Sequence, residues 1–282
     1  MSTLNQIQEK KHQYERAILL AFIGYGLSLI LGAMLFISWI FIIGLVPVLL
    51  GSLVVHYFSL KSLKLTKHAF LIQVLKPKIE ARFKEGRYQP KQGFDSSFFT
   101  DHETLKLYDG YLSEHLIRGE IKGFPFTMAY VSIDKHVEKF KRQQVIPSFR
   151  GKVMDIVFTL PFKYDSECLH PEHPSRRKRS KKLDPLAFHE DYLVDGLELS
   201  KVKEMYAPSI LEKMTELMDK YEGFAVHFKY NHMVVYIDDY TNLVDLSWRQ
   251  PIDEHIYDSI DHLFKDIESL VNTVLQTKSM FA

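Results

Sequence analysis

Residues Ala17–Leu60 read AILLAFIGYGLSLILGAMLFISWIFIIGLVPVLLGSLVVHYFSL, 44 positions without one Asp, Glu, Lys or Arg. The rest of the 282-residue chain carries all 36 basic and all 35 acidic side chains. A helix rises about 1.5 Å per residue and a bilayer's hydrocarbon core is about 30 Å thick, so the run is about twice as long as one crossing needs. It predicts two spans, 17–36 and 40–60. A very short turn at Ser38–Trp39 joins them, where a Trp suits the membrane–water interface. A cleaved signal peptide has an apolar core of only about 7–15 residues, so the run predicts a retained anchor.

The flanks predict orientation. Lys10, Lys11 and Arg16 precede the first span, Lys61, Lys64 and Lys67 follow the second, and the turn holds no cation. Cations collect on the cytoplasmic side, so both termini are expected there and the chain is expected to be integral to a plasma or inner membrane. Gly24, Ser28 and Gly32 recur every four residues, a row of small side chains that lets a second helix approach closely. Two occupants fit that groove: the second span, near Gly44 or Gly51, or another copy of the chain. His56 is the one ionisable group within the spans, so no proton or ion path is expected.

Beyond the anchor, Leu63, Phe70, Val74 and Ile79 continue a helical pattern to Gly86, and a polar link follows to Gly93. The period then changes to two. His115–Ile121, Phe124–Ile133 and Lys152–Leu160 are rich in β-branched and aromatic residues and predict strands, the first two joined at Lys122–Gly123. A helix is expected from Pro208 to Gly223, with Ile210, Leu211, Met214, Leu217, Met218 and Tyr221 on one stripe. Phe224–Phe228 and Met233–Ile237 read as a hairpin turning at Asn231–His232. After Pro251, apolar residues from Ile252 to Val274 track one face of a last helix. Grouped strands and helices without βαβ alternation predict an α+β domain. The expected organisation is thus an N-terminal segment (1–16), the hairpin (17–60), a juxtamembrane helix and link (61–93) and a cytoplasmic α+β domain (94–282).

Several short motifs accompany this layout: Phe94–x–x–Ser97–x–Phe99, Gly119 on a strand, Phe149–Arg150–Gly151 entering a strand, and Tyr206–Ala207–Pro208–Ser209 opening a helix. With the membrane hairpin and the Phe228–Ile237 turn, the chain resembles a bacterial membrane-protein family known as domain of unknown function 3137. The resemblance implies fold and topology, and it carries over no catalytic residue.

Charge is uneven. Residues 1–183 hold 28 basic against 16 acidic side chains, and residues 184–282 hold 8 against 19. Between Lys163 and Asp184, a stretch with Pro171 and Pro174 and no apolar period, a long exposed loop is expected. It contains Arg176, Arg177, Lys178, Arg179, Lys181 and Lys182. Three readings compete for that run: a solvated loop, contact with anionic lipid, and nucleic-acid binding. The third is disfavoured because no aromatic residue interleaves the cations and the acidic part would repel phosphate.

Beside the run, Cys168, His170 and His173 place a thiol and two imidazoles within six residues. Zinc accepts such donors, but a structural site needs a fourth, which His189 or Asp165 would have to supply. On the last helix, His255, Asp258 and His262 fall on one flank at spacings that suit a metal or an oriented base, and equally a solvated helical face. No phosphate loop, nucleophile elbow, HExxH or CxxC occurs. The sequence therefore favours a membrane-anchored interaction or regulatory module without a cofactor, contacting lipid and a protein partner or a second copy. The alternatives are a membrane-tethered metal-dependent hydrolase and an accessory subunit of a transport or envelope complex.

Overall fold

The computed structural model describes residues 3–34, 42–102, 105, 110–139, 142–169, 184–186, 189–196, 204–221, 223–239 and 255–282. The turn expected at Ser38–Trp39 lies outside them. The chain divides into two compact units, Met1–Pro77 with Leu246–Ile256, and Lys78–Asp245 with Tyr257–Ala282.

In the first unit, α1 (Thr3–Met34) and α2 (Ile42–Phe70) pair as a hairpin. A π-helical turn, Leu71–Leu75, leads from α2 into α3 (Lys76–Arg82). The π turn has a local cause. Pro77 has no N–H, and its ring clashes with the carbonyl four residues before it, so the ladder widens just upstream and the Lys76 N–H reaches back five residues to the Leu71 carbonyl.

The second unit is built on one nine-stranded sheet: β1 (Lys84–Gln89), β2 (Gly110–Ile121), β3 (Phe124–Lys139), β4 (Arg142–Val157), β5 (Ser166–Leu169), β6 (Asp184–Leu186), β7 (His189–Gly196), β8 (Phe224–Lys229) and β9 (His232–Ile237). The spatial order is β1-β2-β3-β4-β9-β8-β5-β7-β6, and every pairing is antiparallel. The expected β2–β3 turn forms at Lys122 (φ 54°) and Gly123 (φ 85°), two successive positive φ values that match the twist of the strands they join. The β8–β9 turn closes one residue earlier than expected, at Tyr230–Asn231 between paired Lys229 and His232.

Cross-strand rows define the two faces of the sheet. Val131, Ile133, Phe149, Val153, Ala225, Val234 and Tyr236 are buried on one face with Phe99 of the short helix α4 (Ser96–His102). On the other, the row Phe126–Ile156–Met233–Phe228 is buried. Against it, Phe83 and Phe264 of α6 (His255–Gln276) pack on Phe126 with ring centroids 4.5–5.3 Å apart. Helix α5 (Pro208–Lys220) buries Ile210, Leu211, Met214, Leu217 and Met218, the expected stripe, and Ile260 to Val274 do the same along α6.

The sequence reading departs from the structure in several places. Helix α4 and strands β6 and β7 are not among the expected elements, and strand β2 starts at Gly110. The first half of the polar link, 86–89, belongs to β1, an edge strand whose one buried side chain is Tyr88; one apolar residue in six leaves no period to detect. The exposed loop expected over 163–184 is interrupted by β5, whose Ser166, Glu167 and Cys168 are buried between β8 and β7. Strands β3 and β4 also run well past their apolar segments, through Lys139 and from Arg142.

Candidate functional site

The hairpin surface is the most distinctive feature of the described residues. Ile7, Lys11, Ile18, Ala21 and Ser28 are buried along α1, and Ser52, Ser59, Leu63, Thr66 and Phe70 along α2. Steps of three, four and seven make each series a heptad seam, the pattern of two helices packed as a coiled coil. In the apolar part of the hairpin, however, the pattern is inverted. The seam is small and polar, and the outside is apolar.

Nineteen large apolar side chains between Leu19 and Leu60 are exposed, among them Leu29 at 77% and Ile43 at 68%. Only 17% and 11% of the most apolar windows of the two helices is buried, so neither is packed as a buried core helix. Half-burying a side chain of this size is worth roughly 1 kcal/mol, so leaving all of them in water forfeits on the order of 15–30 kcal/mol, more than a typical folding free energy.

Small residues set the helix contact. A Cβ on Gly24 would lie 1.9 Å from the Ser52 Oγ, and the Tyr25 hydroxyl reaches the Ser52 carbonyl at 3.5 Å. The groove expected at Gly24 and Ser28 thus receives the second helix beside Gly51, one of the two occupants considered. A methyl group added at Gly32 would meet nothing within 4 Å among the described residues. His56 sits among aromatic rings, 5.6 Å from Phe22 and 5.8 Å from Tyr25. Toward the chain start, buried Lys11 pairs with Glu15 one turn on, which is how a cation is accommodated on the seam.

Of the sequence-predicted metal donors in the sheet unit, Cys168, Asp165, Asp258 and His262 lie among the described side chains. Cys168 lies in the row Met128–Met154–Val235–Val226–Cys168 on an apolar face. It is fully buried, and burial, aided by nearby Glu167, pushes its thiol pKa up. His170 and His173 lie outside the described residues, as does the whole run Arg176–Lys182. Asp165, weighed as a fourth ligand, accepts the Tyr230 N–H at 3.0 Å. Asp258 and His262 are exposed on α6. Among the described residues no group of three or more His, Cys, Asp or Glu side chains is arranged to hold a metal ion.

Two histidines do have built surroundings that sequence reasoning missed. His115 (φ 61°) sits at a bulge in β2, stacked on Tyr88, whose buried hydroxyl is 2.7 Å from its Nδ1. Burial holds the imidazole pKa below its ordinary value against the pull of Glu114, and burial raises that of the phenol, so a neutral pair results. His232 Nδ1 lies 2.9 Å from Asp155 Oδ1, and this hydrogen bond raises the histidine's pKa against a smaller effect of burial. Glu114 Oε1 also lies 3.8 Å from His115 Nε2, and each pair reads as an internal brace.

The resemblance motifs also turn out to be structural. Phe94 stacks on Phe98 at 4.4 Å, and Asp95 accepts the Ser97 N–H at 3.0 Å at the start of α4, a bond that holds the Asp95 pKa low. Gly119 leaves room for Phe83, whose Cβ would be 2.7 Å from an added methyl group. In Phe149–Arg150–Gly151, Phe149 is in the core, and Arg150 binds Asp134 through Nη2 and Asp238 through its backbone N–H, both at 2.9 Å. Tyr206 is buried with its hydroxyl 3.0 Å from Ser166 Oγ, and Pro208 begins α5. A second brace ties α3 to α6, where Arg82 pairs with Asp261 and, at 2.9 Å, with Glu268.

No protein-family model matches the chain. No curated protein matches it at a significant level. Among solved structures it is similar to the crystal structure of the mycobacterial trehalose monomycolate transport factor A, TtfA, at 9% sequence identity and a TM-score of 0.36, with 67% of this chain and 88% of that one covered.

Proposed function

We propose that the chain is a membrane-anchored interaction module. Its hairpin crosses the bilayer twice, both termini are cytoplasmic, and the α+β unit is displayed on the cytoplasmic side to meet lipid and a protein partner or a second copy. Membership of the domain of unknown function 3137 family is part of this reading. One observation carries it: a two-helix seam of Ala21, Gly24, Ser28, Ser52 and Ser59 wrapped in exposed Leu, Ile, Val and Phe. Water would reverse that arrangement, and hydrocarbon stabilises it. The cations flanking the two spans support the orientation. A non-enzymatic role is assigned because the His115–Tyr88 and His232–Asp155 pairs described above serve as internal braces.

The test uses cysteine accessibility. Cys168 is buried, so His262→Cys on the exposed flank of α6 supplies the one reactive thiol of the sheet unit among its described residues. A membrane-impermeant maleimide should leave intact cells unlabelled at this position and label it once the membrane is opened. Labelling from outside intact cells overturns the topology. Extraction of the chain from membranes by alkaline carbonate overturns the anchor itself. Purification in mild detergent should recover a stoichiometric partner or an oligomer, and a clean monomer counts against the interaction role.

A further inference from the structure

The β3–β4 hairpin runs beyond the sheet. Strand β2 pairs with β3 only as far as Asp134, and β9 pairs with β4 only from Lys152 onward. From Lys135↔Ile146 to Lys139↔Arg142, five cross-strand pairs have no third strand among the described residues. This ribbon projects about 17 Å at about 3.4 Å per residue, and a bare two-stranded ribbon is marginal in water. Paired residues share a face, so Lys135 lies with Ile146 on one side and His136 with Val145 on the other. Val145 is 54% and Ile146 47% exposed, which puts apolar surface on both faces. Residues 135–142 read KHVEKFKR, four cations to one anion.

We infer that this ribbon is a lipid-docking element that inserts at the headgroup level of an anionic bilayer. A protein partner would cover one face of a ribbon. A bilayer interface surrounds an element entering it and rewards apolar groups on both sides, while the lysine stems keep their charges at the headgroups. Cations near an anionic leaflet are attracted to it, and the attraction is screened by salt. The inference rests on the anchored reading above, which brings the ribbon's unit to a membrane, and it is separate from the basic run at Arg176–Lys182.

The test uses the full chain in lipid nanodiscs with a polarity-sensitive fluorophore on Val145→Cys, buried Cys168 remaining unlabelled. In nanodiscs containing phosphatidylglycerol, emission should shift to the blue and be quenched by lipids bearing a headgroup-level nitroxide. Both effects should be lost in pure phosphatidylcholine, in about 1 M salt, where the screening length falls to about 3 Å, and in a Lys135→Ser/Lys139→Ser/Arg142→Ser variant. A fluorophore on Leu29→Cys, on the outer face of α1, checks the anchor separately and should be quenched by an acyl-chain nitroxide in every lipid. Quenching at position 29 with a water-exposed signal at 145 overturns the ribbon and leaves the anchor standing. A blue shift at 145 without lipid quenching assigns the ribbon to a protein contact and also overturns it. Absence of quenching at 29 overturns the anchor, and the lipid assignment of the ribbon with it.

Discussion

Gly151→Ala should cost this protein far more than one methyl group suggests. A Cβ at this position would lie 1.7 Å from the Ile237 carbonyl oxygen and 2.8 Å from its carbon. These are backbone atoms, so no side-chain rotation relieves the contact. To reach an ordinary separation near 3.4 Å, β9 must retreat from β4 by about 1.7 Å where the two strands part. The retreat carries Asp238 away from the Arg150 N–H that it accepts at 2.9 Å. Overpacking a tight site costs about 1–3 kcal/mol and a lost hydrogen bond to a charged group about 1.5–3, so about 3–5 kcal/mol is expected in total. For a unit of this size each kcal/mol lowers Tm by about 2–4 °C, giving a fall of about 6–20 °C. Thermal unfolding of the detergent-solubilised chain, followed by near-UV circular dichroism, measures it. Gly26→Ala is the control, since its added methyl meets nothing within 4 Å. A Gly151→Ala melt within about 2 °C of the parent refutes the close-approach argument.

Two further outcomes follow from the buried groups. Cys168, fully buried with its pKa raised by that burial, should resist iodoacetamide in the folded protein and react promptly in denaturant; mass spectrometry showing native-state alkylation at the rate of a free thiol contradicts the assignment. The Asp155 hydrogen bond raises the His232 pKa above its ordinary 6.5, so the folded state holds that proton more tightly than the unfolded chain. The stabilisation is complete below about pH 6.5 and fades as pH rises through the folded value. His232→Gln should therefore lower Tm more at about pH 5.5 than at about pH 9, and an equal loss at both refutes the linkage.

Legibility of the fold followed the strength of each local period. Helix α6 was readable because Ile260, Leu263, Phe264, Ile267, Leu270, Val271 and Val274 form one buried stripe. The β2–β3 turn was readable because Lys122–Gly123 is chemically suited to it. Strand β1 was hidden because an edge strand buries so little, and β5 because Cys168 beside two histidines looks like a ligand set when only its neighbours in sequence are visible. Its neighbours in space, Val226 across the ladder and Tyr206 beyond, make it a core residue. The His115–Tyr88 and His232–Asp155 pairs join residues 27 and 77 positions apart, a separation that no spacing rule reaches. The hairpin was visible as an uncharged run, yet its inverted seam emerges only when exposure is known residue by residue.

The Ser28, Ser52 and Thr66 hydroxyls on that seam bond within their own helices, whereas the Tyr25 hydroxyl reaches across to the Ser52 carbonyl. Ser28 donates to the Gly24 carbonyl, Ser52 to that of Val48 and Thr66 to that of Ser62, each within its own helix at 2.8–2.9 Å. In the proposed anchor, each helix would enter the bilayer with those three hydroxyls already satisfied, so each could be integrated alone before Gly24 meets Ser52.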